Sequence, residues 1–88
     1  MNEHSQRLIE RILEAFELYE KKKITAKELV LNVEGNCNAL EEKALVSMCK
    51  KILSKIDDAI HLYNENEGRN FLLKEFKLFK EAILNHNR

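Results

Sequence analysis

The sequence predicts an all-α fold: a compact antiparallel bundle of four helices, or of three if the second and third merge. Three observations carry this. The 88 residues include no proline and only two glycines, Gly35 and Gly68, whereas β-sheet proteins use both residue types at turns and bulges. Leu, Glu, Lys and Ala, which favour helix, are abundant. The apolar residues recur at helical spacing.

The first helix is expected over about residues 5–22. Leu8, Ile9, Ile12, Leu13, Phe16 and Tyr19 form one stripe, with Glu10, Glu14 and Glu17 on the outer face. It ends in Lys21, Lys22 and Lys23, where positive charge meets the negative end of the helix dipole. Thr25-Ala26-Lys27-Glu28 then has the form of a capping box, with Thr25 accepting from the Glu28 amide and the Glu28 carboxylate from the Thr25 amide. Ile24 and Leu29 are placed to form a hydrophobic staple around it. The turn is therefore short, and the first two helices should lie antiparallel.

In the second helix Leu29, Val30 and Val33 point inward, and Gly35 suits a left-handed C-terminal position. A break or kink is expected between Gly35 and Asn38, with Asn38 and Glu41 as the next cap. Continuation through Gly35 is the alternative, because Val33, Cys37 and Leu40 keep helical spacing. The third helix is expected over about residues 39–63. Its broad apolar face runs through Leu40, Ala44, Leu45, Met48, Cys49, Ile52, Leu53, Ile56, Ile60 and Tyr63, wide enough to touch two neighbours. Asn64 to Gly68 reads as a loop. The fourth helix follows over about residues 69–85, with Leu72, Leu73, Phe76, Phe79 and Ile83 inward and Phe71 and Leu78 off the stripe.

A chain of this length makes a single domain, residues 1–88. Its 44% hydrophobic content suffices for one core, and its 34% charged content exceeds the globular average of roughly 25%, as amphipathic helices require. Fifteen basic and fifteen acidic residues cancel. That balance counts against a general nucleic-acid binder, which is normally strongly basic. Two cysteines, Cys37 and Cys49, with no signal-like start read as buried reduced thiols. No apolar run approaches the length of a membrane span, so the expected location is the cytoplasm.

Catalytic and metal-binding patterns are sparse. His4, His61 and His86 lie far apart. His61 and Glu65 have the i, i+4 spacing of a metal pair, yet an exposed helix residue explains His61 more simply. No glycine-rich phosphate loop and no cysteine pair at zinc spacing occurs. Cys49 sits on the apolar face, which would make it inert, while Cys37 is expected to be partly exposed near the second junction. Ser5, Ser47 and Ser54 have no motif around them. The expectation is a protein without enzymatic activity, cofactor or metal, working through its surface.

Charge distribution says more than net charge. Asp57 to Glu67 holds four acids, Asp57, Asp58, Glu65 and Glu67, and no Lys or Arg. Lys50, Lys51 and Lys55 precede it, and Arg69, Lys74, Lys77 and Lys80 follow. Such a stretch is either ordinary solvated surface or an acidic patch that docks on a basic partner, where opposed potentials speed encounter and fix register. Glu41 and Glu42 would extend the patch only if the fold brings them close. Lys21, Lys22, Lys23 and Lys27 could touch phosphates, but capping and solubility explain them, and no exposed aromatics are interleaved.

Helix one followed by Lys23-Ile24-Thr25-Ala26-Lys27-Glu28-Leu29 resembles the opening of the colicin D immunity proteins and related helical immunity proteins. Length and all-helical character are similar. The resemblance implies a cytoplasmic antitoxin that forms a 1:1 complex with the basic nuclease domain of a tRNA-cleaving toxin, its acidic side chains occupying the groove meant for RNA. The neutral charge departs from the acidic balance expected of an RNA mimic. The candidate partner-binding residues, Asp57, Asp58, Glu65 and Glu67 with Glu41 and Glu42 as weaker members, come from the local charge run alone. The alternative reading is a helical adaptor, including a homodimer, that docks through Phe71, Leu78 and Leu31.

Overall fold

A computed structural model describes residues 1–86, which form four α-helices and, among these residues, no strand. Helix α1 spans Glu3–Glu20, α2 Ala26–Ala39, α3 Lys43–Leu62 and α4 Glu65–His86. The neighbours around the bundle are α1–α2, α2–α3, α3–α4 and α4–α1, so α1 and α3 lie diagonally opposite. The bundle is 37 Å long and about 20 Å across. One end gathers the start of α1, the α2–α3 connection and the end of α4. The other gathers the α1–α2 turn and the α3–α4 corner. This is the up-down-up-down arrangement of an antiparallel bundle.

The first turn forms as the sequence predicts. The Glu28 amide donates to Thr25 Oγ1 at 3.2 Å and the Thr25 amide to Glu28 Oε1 at 3.1 Å. A cap of this kind contributes about 1 kcal/mol. Lys22 adopts a left-handed conformation, φ 62°, and ends α1. The Lys23 amide reaches back to the Leu18 carbonyl at 2.8 Å and the Lys22 amide to Tyr19 at 3.0 Å, the bond pair of a Schellman ending.

The expected break between Gly35 and Asn38 is absent. Helix α2 runs through Gly35, which lacks a positive φ, and continues to Ala39. The reason is burial. Leu29, Val33 and Cys37, at i, i+4 and i+8, all face the core, and a break at Gly35 would rotate Cys37 away from it. The chain leaves helix at Leu40, itself buried, and resumes at Lys43, so the third helix starts four residues later than the sequence suggested. Asn38 is not its cap: Glu42 holds that position without a side-chain cap bond. A Cβ on Gly35 would meet nothing within 4 Å. Gly35→Ala should therefore stabilise the protein by about 0.5–1 kcal/mol, through helix propensity and a stiffer unfolded chain, measurable as a rise in urea midpoint.

The segment Asn64 to Gly68 is not a loop either. Only Tyr63 and Asn64 separate α3 from α4. Asn64 acts as a cap, its Oδ1 accepting from the Glu67 amide at 2.9 Å and its carbonyl from the Gly68 amide at 2.8 Å. Glu65 and Glu67 fall in the first turn of α4, where the helix dipole favours acids.

The core is assembled from the predicted stripes. Ile12 and Phe16 of α1, Leu29 of α2, Leu45 and Ile56 of α3 and Leu72 of α4 are fully buried. Phe16 stacks on Phe76 with ring centroids 4.5 Å apart and planes 7° from parallel, and Phe79 lies 6.5 Å away. Ala44 and Tyr63, counted on the apolar face of α3, lie outside the core.

Candidate functional site

Asp57 and Asp58 lie in the second half of α3, and Glu65 and Glu67 open α4, so these four share the α3–α4 corner. Asp57, Glu65 and Glu67 are exposed and Asp58 is half-buried. The lysine-rich α1–α2 turn lies at the same end. A groove of about 610 Å³ runs between turn and corner, with Lys22, Lys23 and Lys27 on one side and Glu65 and Arg69 on the other. The acidic run therefore borders a mixed-charge groove, a juxtaposition with no trace in local sequence.

Arg69 ties the two sides together. Its guanidinium donates to the Tyr19 carbonyl at the end of α1 and stacks 4.5 Å from the Tyr19 ring centroid. Burial pushes the Tyr19 phenol up, partly countered by the Arg69 charge. Tyr63 and Phe71 stack at 5.1 Å across the corner. Phe71, expected to be an exposed apolar contact, is half-buried against the core, because the turn is short enough for Tyr63 to cover it.

Glu41 and Glu42 do not join this corner. They lie in the α2–α3 connection, at the opposite end of the 37 Å bundle. Glu42 serves the fold: the Asn2 amide donates to its Oε1 at 3.1 Å, and His86 Nε2 lies 3.6 Å from its Oε2. At the same end His4 donates to the Ala39 carbonyl at 3.3 Å. The Asn2 hydrogen bond, together with His86 and the N-terminal charge, holds the Glu42 carboxyl below its ordinary value of 4.5. A depressed folded-state pKa stabilises the native state above the unfolded value and loses that contribution as pH falls through the folded one. Glu42→Gln should thus lower the melting temperature at pH 7, and the gap from the parent should narrow as the pH falls below the ordinary carboxylate value and through the lowered folded one. A gap that is constant with pH would refute this role for the carboxylate.

Cys37 and Cys49 are both buried and free. Cys37, expected to be partly exposed, is carried inward by the continuation of α2. The bond with Cys37, and burial, push the Cys49 thiol up, while its hydrogen bond to Cys37 pulls that thiol down. His61 and Glu65 fall on different helices, so their spacing is not that of a helical ligand pair. Among the described residues no three His, Cys, Asp or Glu side chains cluster as a metal site, and no helix is long and apolar enough to cross a membrane.

Along α3, Lys43 to Ile56 carries four lysines and no acid. Lys43, Lys50 and Lys51 are exposed on the side diagonally opposite α1. The α1 surface carries the exposed acids Glu10, Glu14 and Glu17. The same surface of α1 also exposes Arg7 and Arg11, so the clearest single-sign stretch is the Lys43–Lys55 run of α3. The fold defines the class, an all-α four-helix bundle. No family model, curated protein or solved structure matches the chain.

Proposed function

We propose that this chain is an immunity protein, a cytoplasmic antitoxin that binds the nuclease domain of a bacterial toxin and covers its active site. The observation that carries the reading is the Lys23–Leu29 turn. An amphipathic helix leads into a formed capping box there, in a four-helix chain of the size seen in the colicin D immunity proteins it resembles. Asp57, Asp58, Glu65 and Glu67, presented on rigid helices around one corner, supply carboxylates for the lysines and arginines of a groove built to hold RNA. The reaction belongs to the toxin. This protein contributes occlusion, and its helices hold the acids in place before the encounter, which limits the entropy lost on binding.

The test is protection. The chain is co-expressed with nuclease-toxin domains encoded beside its gene, and growth and intact tRNA are scored. Protection is expected, with a 1:1 complex on size exclusion. Converting Asp57, Asp58, Glu65 and Glu67 together to Lys should weaken that complex by at least about a hundredfold, since like charges across an interface cost several kcal/mol. Protection that survives the four reversals would move the binding site elsewhere. A chain that protects against no neighbouring toxin would overturn the function.

A further inference from the structure

We propose that the groove between α3 and α4 is a docking site for an acidic amphipathic helix of a partner protein. It lies farther along α3 and α4 from the acidic corner, is lined by none of Asp57, Asp58, Glu65 or Glu67, and is independent of the antitoxin reading. The groove encloses about 550 Å³. Its floor is Ile52 and Phe79, both buried, and its walls are Met48, Leu78 and Ala82. Leu78 is 57% exposed, which leaves a leucine with no neighbour over it beside a ready-made apolar trough. Other exposed leucines, such as Leu31 and Leu84, line neither this groove nor the depression that adjoins it, and apolar residues scattered singly are ordinary on a protein surface.

Charge identifies the occupant. Lys51 and Lys55 stand on the rim, and a second concavity over Lys43, Val46 and Lys50 continues the groove along α3. Glu75 is the single acid lining either depression, and among the described residues none of these lysines is in an ion pair. Lys43 to Lys55 spans about 18 Å at the helical rise, room for about three turns of a second helix. A partner helix with apolar residues at i, i+3 or i+4 and i+7 would seat them in the trough, and Asp or Glu flanking that stripe would meet the lysines. Nucleic acid fits less well, because the trough is apolar and offers no exposed aromatic ring for a base to stack on.

The experiment uses two synthetic amphipathic helices with identical leucine stripes, one flanked by Glu and one by Lys, followed by fluorescence anisotropy and amide NMR shifts on the intact protein. The Glu-flanked helix should bind at least about tenfold more tightly than its Lys-flanked counterpart, with shifts centred on Met48, Lys51 and Leu78. Leu78→Glu and Lys51→Glu, both at exposed sites and checked by circular dichroism for folding, should each weaken it by about tenfold. Equal affinity for the two helices, no binding of either, or binding unaffected by Leu78→Glu would overturn the proposal. So would poly(U) binding that displaces the peptide, or self-association of the parent that Leu78→Glu abolishes; these would assign the face to RNA or to a second copy. None of these variants touches Asp57, Asp58, Glu65 or Glu67, so failure here leaves the protection assay standing.

Discussion

Replacing Phe16 by alanine should cost about 3–5 kcal/mol, the range for truncating a buried phenylalanine. An 88-residue domain has about 4–13 kcal/mol of stability in all, so the variant should lose a large share of it. Phe16 is fully buried, and its ring stacks on Phe76 and packs near Phe79. Of the four helix pairs in the bundle, α1 and α4 share the thinnest backbone contact, so this aromatic cluster is their main bridge. Removing the ring leaves a void that α2 and α3 cannot collapse into without breaking their own packing. Urea denaturation should show a lower midpoint at unchanged slope. Leu31→Ala, at a side chain 70% exposed, should stay within about 0.5 kcal/mol of the parent. A loss below about 1 kcal/mol for Phe16→Ala would mean that α4 does not close on α1 in this way.

Gly68→Ala should destabilise by about 1–3 kcal/mol, opposite in sign to Gly35→Ala. A Cβ at Gly68 would lie 2.9 Å from the Ala59 carbonyl oxygen, and 3.6 Å from the Ala59 Cβ. The obstacle is backbone in the neighbouring helix, so relief requires α3 and α4 to separate, which also disturbs the Tyr63–Phe71 stack and the Arg69 clasp on Tyr19. Alanine gains about 1 kcal/mol in helix propensity, which is smaller than the cost of that shift. Thermal melts of the two glycine variants read the contrast directly. A stabilised Gly68→Ala would show that the helices are not in close approach at this point.

The two glycines also mark where local reasoning runs out. Read alone, each is a helix breaker. Gly35 breaks nothing, because Val33 and Cys37 gain more by staying on one buried face than the chain gains by turning. Gly68 lies inside a helix because α3 passes too close for a side chain. Neither reason lies within the helix that holds the glycine, since each depends on packing against another helix. Capping at Thr25, by contrast, was fully legible: donor and acceptor lie three residues apart, and no other element is needed to form the bonds.

Candidate surfaces divide along the same line. Asp57, Asp58, Glu65 and Glu67 are close in sequence, and a two-residue connection keeps them close in space. Glu41 and Glu42 lie fifteen or more residues from that run in sequence, along a helix that carries them to the far end. The lysines of the α1–α2 turn face Glu65 only because four helices of similar length alternate in direction. By itself, the sequence determined the helical class, the inward faces and the Thr25 cap, since periodicity and capping act within a few residues. Tertiary structure alone decided where the second helix ends, which charges share an end, and that Leu78 borders an open trough. Those outcomes depend on burial and close approach between segments far apart in the chain.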